Sequence, residues 1–429
     1  MNKLTAIFIL TAFSFAITSC NNNDELPSPD FPKKERKEIT MSKADKRITE
    51  QNTKFAISLF NKVNEMEKEK PNWIISPFNV SAVLSLIANG ADGNTLAELQ
   101  DALGTKEIMM NEINSYYKRM SEELVNLDYT SGLSFSRAAF VNDTVNIYDS
   151  YADLSHKMFG TWINRIDYLN PQTLNMLNHS YNVLTNGLFP PLFDQIPEDK
   201  MAIYLNMAKF DGKWKKKFNN SETNIEDFIC ADGSKKQVLM MQKTEKLYYW
   251  DDETVEMAEF PYGNEAFSMS VLLPKEEALK QMSLEEIMVM MTSCIYQIEE
   301  EKREALIQTR FPRFKLKYET NWVDVLKALG ITEIFDREKA NLSKYAASNI
   351  NISQLNQSIY VNVEENGFEE ENQPTYSGMT TKEFNINRPF IFLIKEKSTG
   401  MILFMGKVTD LDWTEMDKQN SPHGKPVSE

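Results

Sequence analysis

Cysteine is scarce in this chain, with three in 429 residues. That is too few for a disulfide framework, and their spacing is not that of metal ligands. With Cys20 at the end of an apolar N-terminal run, only Cys230 and Cys294 remain. They could form one bridge; two separate buried thiols is the preferred reading. Histidine is as rare: His156, His179 and His423 lie near no Ser or Cys in a recognisable nucleophile setting, which disfavours a Ser-His-Asp hydrolase. Basic charge is outweighed, with 47 Lys and Arg against 62 Asp and Glu for a net charge of −15. A phosphate backbone would be repelled by such a surface, so no nucleic-acid partner is expected. Long apolar runs are missing beyond the first residues, as are internal repeats and any Pro/Gly/Ser-rich linker dividing the body.

What is present begins with MNKLTAIFILTAFSFAITSC, residues 1–20. Lys3, the apolar stretch Leu4 to Ile17 and the small residues before Cys20 read as a processing segment. The apolar run is shorter than the roughly 20 residues a spanning helix needs. Ile17-Thr18-Ser19-Cys20 resembles the bacterial lipobox, which implies a lipid on Cys20 and an exported protein anchored to the cell envelope, at the outer membrane or cell surface. Residues 21–46 are polar, charged and Pro-containing and read as a disordered tether. A single domain is assigned to 47–411 and a loose polar tail to 412–429. Hydrophobic content of 42% and charged content of 25% allow a sizeable core.

Periodicity supplies the elements. Phe55, Ala56, Leu59, Phe60 and Val63 predict an amphipathic helix over Thr53 to Met66. Val80, Val83, Leu84 and Ile87 fit a buried helix ending at Gly90, and Thr95 with Glu98 reads as a capping box for the next, which ends before Gly104. Alternation through Ala305 to Tyr318 predicts one half-buried strand, after which Asn321 caps a short helix ending at Gly330. Phe390 to Ile394 and Met401 to Met405 form a buried hairpin joined by KEKSTG. Helices first, then helices mixed with antiparallel-type strands, indicate an α+β body.

Five segments carry a family resemblance. NWIISPFNVSAVLSLIANGADGNTLAELQDALG from Asn72 resembles the serpin opening signature; LNMAKFDGKWKKKF from Leu205, MAEFPYGNEAFSMSVLLP from Met257, FPRFKLKYETNWVDVLKALGITEIFD from Phe311 and INRPFIFLIKEKSTGMILFMGKV from Ile386 follow in serpin order. The resemblance implies a single domain with three β-sheets, about eight or nine helices and an exposed reactive-centre loop before the C-terminal hairpin. It implies a monomer that needs no cofactor or metal and has no catalytic residues of its own. Its partner is a target protease, serine-type or cysteine-type, which attacks the loop as a substrate; the cut loop then enters the main sheet as a new strand. Residues expected to govern sheet opening are Ser76, Asn79, Asn206, Trp214 and Gln357, where Gln357 replaces the family's histidine and cannot titrate. Ser180 likewise replaces a common tryptophan, beside Tyr181.

The loop departs from the inhibitory pattern. Glu364, Glu365, Asn366 and Gly367 match the start of the hinge, but small residues are expected next, and this chain has Phe368, Glu369, Glu370, Glu371, Asn372, Gln373 and Pro374. An inserted strand alternates sides, so either Phe368, Glu370, Asn372 and Pro374 face inward, or Glu369 and Glu371 do. Both registers bury a carboxylate, and Pro374 forfeits a ladder hydrogen bond. Two bait bonds are open: Thr381-Lys382, counting forward from Gly367, and Gly378-Met379, counting back from Phe384 and Phe390. Met379, Thr380 and Thr381 suit an elastase-like protease and Lys382 a trypsin-like one. Two functions are weighed: a suicide-substrate inhibitor of extracellular proteases, and a non-inhibitory binding or structural lipoprotein whose loop is only a substrate.

Overall fold

The computed structural model describes residues 35–196, 201–369 and 380–412. In chain order its α-helices are α1 (Lys43–Met66), α2 (Pro77–Gly90), α3 (Gly93–Leu103), α4 (Met110–Leu127), α5 (Asp149–Phe159), α6 (Thr173–Leu184), α7 (Glu276–Leu279), α8 (Leu284–Ser293), α9 (Ile295–Glu301) and α10 (Val323–Ala328). Its strands are β1 (Asn72–Ile75), β2 (Ser134–Asn142), β3 (Thr161–Ile166), β4 (Ala202–Phe210), β5 (Trp214–Lys216), β6 (Asn224–Ile229), β7 (Lys235–Asp251), β8 (Val255–Pro261), β9 (Phe267–Pro274), β10 (Arg303–Pro312), β11 (Phe314–Asn321), β12 (Ile352–Val363), β13 (Gly367–Glu369), β14 (Lys382–Asn385), β15 (Phe390–Glu396) and β16 (Ile402–Val408). They form the three sheets expected, of nine, five and two strands.

Helix α2 is apolar nearly all round and buried, with β16 on one side and β4 on another. The five-stranded sheet runs β11-β12-β4-β2-β3, and its central pair, β4 and β12, is parallel. Its inner face, including Ala208, Leu355 and Ile359, belongs to the main core; its outer face, with Phe140, Leu205, Met207 and Tyr360, lies in a second cluster with Leu177 and Tyr181 of α6. Alternation along each strand separates the two sets.

Several expectations need correction. The first helix starts at Lys43, ten residues before Thr53, with a capping box between Ser42 and Asp45. Ile39 is buried and donates its N–H to Ser398 Oγ at 3.0 Å, so the body reaches back into the span 21–46 read as tether. Asp92, not Thr95, caps α3. Thr95 instead donates to Glu333 (2.7 Å), and Glu98 accepts from the Thr332 and Glu333 backbone N–H groups, which ties α3 to a distant turn. The single strand over Ala305 to Tyr318 is two strands in different sheets, broken at Arg313. Alternation persists through the break because both halves are half-buried. Cys230 is buried and Cys294 half-buried, and neither is in a disulfide.

A buried charge cluster stands on the nine-stranded sheet. Glu259 of β8 is 2% exposed and lies 2.6 Å from Lys302 Nζ, 3.6 Å from Lys397 Nζ and 3.8 Å from Lys395 Nζ. Burial alone would raise its pKa, but the lysines outweigh it and hold the carboxyl down to about 2, against an ordinary 4.5. Because the folded value is the lower one, the stabilisation is complete above the ordinary value and is lost as pH falls toward about 2, an effect of about 3 kcal/mol. Urea unfolding at pH 7 and at pH 3 should therefore show a stability loss in the wild type that shrinks in Glu259→Gln. An unchanged pH slope would contradict the assignment.

Candidate functional site: the central slot and the loop beside it

Strands β4 and β12 pair in parallel, with Asn206 opposite Gln357 and Ala208 opposite Ile359. Parallel ladders are slightly weaker per residue than antiparallel ones. A strand entering between them from the end of β12 would run antiparallel to both, replacing one parallel ladder with two antiparallel ones. This is the slot's chemical capacity: it is a seam that gains hydrogen bonds when filled.

The seam is latched at its middle from below. Asn206 Nδ2 crosses it to Asn356 O at 2.7 Å. Asn79, on α2, donates to Asn206 Oδ1 (3.2 Å) and Met207 O (3.1 Å). Gln357 grips the start of α2, its Nε2 donating to Ser76 O (3.2 Å) and its Oε1 accepting the Ser76 N–H (3.3 Å); Ser76 Oγ donates to Leu403 O of β16 at 2.9 Å. All four side chains are buried. One side chain here had not been singled out from the sequence: Arg137 of β2 donates from Nε to Asn79 Oδ1 at 2.6 Å. The available signal was a charged residue in the apolar alternation of Leu133, Phe135, Ala139 and Val141.

Trp214, grouped with these residues from the sequence, is not among them. It lies at the hinge end, and the seven steps from Gln357 to Glu364 span roughly 23 Å of extended chain. Fully buried, it stacks on Tyr262 (centroids 4.3 Å apart) and donates from Nε1 to Glu364 O at 2.7 Å. The hinge is held there, outside the sheet. Trp214 N–H donates to Asn366 O and Phe218 N–H to Glu365 O, each at 2.9 Å. Glu365 is buried, accepts from Thr223 Oγ1 at 3.0 Å and stands 3.8 Å from Arg313. Gly367 and Glu369 pair with Trp214 and Lys216 in the two-stranded ribbon. A Cβ on Gly367 would come 2.0 Å from Lys217 N, so this close approach requires glycine. Phe368 meets Tyr129 edge-on, with centroids 6.2 Å apart.

Glu370, Asn372, Pro374, Gly378 and Met379 lie outside the described residues, as does Cys20. Thr380, Thr381 and Lys382 are exposed. Lys382 opens β14, pairs with Ile307 of β10, lies 3.2 Å from Asp251 and has its ammonium 4.3 Å from the Tyr249 ring centroid. The Thr381-Lys382 bond therefore abuts a paired strand, while Thr380 and Thr381 lie outside that ladder.

Neither cysteine is an activated nucleophile: burial pushes the Cys294 thiol up to about 11 and the Cys230 thiol above its usual value. On the outer face Tyr181 of α6 is buried and shares a hydrogen bond with Ser358 of β12 at 2.5 Å, so its ring fills space beside Ser180.

Comparison with known proteins agrees with this architecture. The family described as Serpin (serine protease inhibitor) matches residues 50–411. Serpin I2 of Homo sapiens is 26% identical over 392 residues, covering 87% of this chain and 94% of that protein. Leukocyte elastase inhibitor A of Mus musculus is 28% identical, covering 84% and 99%. Among solved structures, the thermophilic serpin tengpin in its native state aligns at a TM-score of 0.77 with 24% identity, covering 89% of this chain and 98% of its own. Maspin aligns at 0.79 with 23% identity, covering 86% and 100%. With a five-stranded sheet parallel at its centre, a hinge parked beside it and a family match spanning most of its length, this chain belongs to the serpin family.

Proposed function

We propose that this serpin is a suicide-substrate inhibitor of extracellular serine-type proteases, exported and held at the cell envelope through a lipid on Cys20. The observation that carries the reading is the unfilled parallel seam between β4 and β12 with the hinge strand β13 docked outside it. The target's nucleophile attacks a loop carbonyl; an ester to the protease forms, the peptide bond breaks and the new amine leaves with a proton. The freed loop then enters the seam, driven by the two antiparallel ladders it completes. No catalytic group of this chain takes part. The tie of Lys382 to β10 and Asp251 favours a bait bond upstream of it, at Gly378-Met379 or within Met379 to Thr381. The lipid and the envelope location are supported by the first 20 residues of the sequence.

A second reading, a serpin whose loop is cut as an ordinary substrate, is favoured by the Phe368 contact with Tyr129 and by the acidic, Pro-containing hinge. One experiment separates them. The protein is mixed with elastase-like, trypsin-like and subtilisin-like serine proteases and run on a denaturing gel. A protease-sized upward shift that survives denaturation is the expected result, with N-terminal sequencing of the released fragment starting at or before Lys382. Clean loop cleavage beside fully active protease would establish the second reading instead.

A further inference from the structure

Strand β7 turns Met241, Lys243, Glu245, Leu247 and Tyr249 toward the core, so two charges stand in an otherwise apolar inward row. Their side chains are 4% and 6% exposed, and Lys243 Nζ lies 2.5 Å from Glu245 Oε1. Taking both charges out of water costs about what their attraction returns, and well-packed apolar side chains fill such a site as well or better. Core stability therefore does not account for the pair. What it provides is an ammonium held at one buried place.

That place adjoins β5, the strand that docks the hinge. Lys243 Nζ donates to Lys216 O at 3.1 Å, and lies 4.1 Å from the Phe218 ring centroid and 5.7 Å from that of Trp214. A cation over an aromatic face is attracted most strongly where water is excluded. These three contacts fall on the three residues that grip the hinge. Trp214 donates to Glu364 O and Asn366 O, Lys216 pairs with Glu369, and Phe218 donates to Glu365 O. On the other side, Lys243 and Glu245 stand opposite Thr309 and Ile307 of β10, which pair in turn with Phe384 and Lys382 of β14. The ion pair thus lies between the strands that hold the two ends of the loop.

We propose that Lys243 is a positioning residue for the loop: its ammonium, kept in the core by Glu245, fixes β5 in the form that docks the hinge and so sets how fast the hinge is released. This rests on the reading of β13 as a strand held outside the seam that later enters it, and deepens that reading. A fixed β5 presents its N–H groups to the hinge carbonyls in one arrangement; a loosened one lets them go more often. An apolar side chain at position 243 would still pack against the two rings, but Lys216 O would lose its donor and the rings their cation.

The test is made on the full chain with no protease present. Hydrogen exchange of the Trp214 and Phe218 amides, whose acceptors are hinge carbonyls, reports docking, and urea unfolding reports the whole fold. In Lys243→Met combined with Glu245→Leu, which removes both charges together, the urea midpoint should hold or rise. The two amides should nevertheless exchange at least about 10-fold faster, equivalent to about 1.4 kcal/mol. Lys243→Arg, which retains a cation and its donors, should keep most of the protection. Unchanged exchange in the double variant overturns the proposal. Faster exchange matched by an equal loss of global stability overturns it too, because that marks a structural role alone. Should the double variant not fold, the wild-type chain decides. Acylation of Lys243 by an amine-reactive ester, read by mass spectrometry, should share the shallow urea dependence of a local opening with those two amides. Labelling with the steep urea dependence of global unfolding assigns Lys243 to the core and sinks the proposal. The inhibitor reading fails separately, on the denaturing gel: a trapped protease beside unchanged hinge exchange would keep that reading and overturn this one.

Discussion

Cleaving the loop of the intact protein between Gly367 and Lys382 should raise its Tm by about 10 °C, and replacing Glu369, Glu370 and Glu371 by Ala with Pro374→Thr should raise that gain to about 20 °C. β4 is nine residues long, and a loop strand laid between it and β12 exchanges one ladder for two. At about 1 kcal/mol net per added hydrogen bond this is worth about 10 kcal/mol. One buried, imperfectly paired carboxylate and the missing proline donor together subtract about 5 kcal/mol. The remainder, at about 2 °C per kcal/mol for a chain of this size, sets the wild-type figure, and removing both obstacles sets the larger one. Thermal unfolding before and after limited proteolysis measures both. A cut protein that melts where the intact one does has not inserted its loop, and the inhibitor reading fails. If the substituted hinge also melts unchanged after the cut, the obstacle lies in the latch of Asn79, Asn206 and Gln357 rather than in the hinge.

Trp214→Ala should destabilise the protein by about 5 kcal/mol and open the hinge to proteases. Its indole is fully buried among Tyr262, Phe218, Phe260 and Phe311, so truncation leaves a cavity at a cost of about 3–5 kcal/mol. Glu364 O loses its indole donor, which adds roughly 1 kcal/mol. The same change loosens β5, the strand that holds Gly367 and Glu369. Trp214→Phe, which keeps one aromatic ring but loses the indole donor and part of the buried volume, should cost roughly 2–3 kcal/mol. Urea unfolding gives the stabilities, and the rate of proteolysis between residues 364 and 369 reports the hinge. Equal proteolysis in the Ala variant and the wild type would show that Trp214 serves the core alone and does not hold the loop.

Much of this was legible along the chain. The α2 segment declares itself by unbroken apolarity, and the ordered run of five motifs carries the family because each is a local pattern of turn, cap and periodicity. The hinge, too, was visible as a departure: three consecutive glutamates and a proline where small residues are expected. The errors fell where a local rule met a distant partner. Thr95 and Glu98 have capping-box spacing, yet their side chains reach Glu333 and Thr332, more than 230 residues away. Arg313 interrupts an alternation that both neighbouring strands continue, so only the separation of two sheets reveals the break.

By itself the sequence determined the α+β body and the acidic loop, which are written in spacing and residue type; five ordered motifs carried the family, and the resemblance in turn implied Ser76, Asn79, Asn206 and Gln357 of the central latch. Tertiary structure alone decided that Trp214 serves the hinge rather than the latch, that Lys382 is tied into a strand, and that Arg137 lies buried under the seam with one terminal nitrogen unpaired among the described residues. These are facts about which groups meet across strands far apart in the chain. The physical reason is that the cost of a buried charge, or the worth of a hydrogen bond, depends on partners brought together by packing.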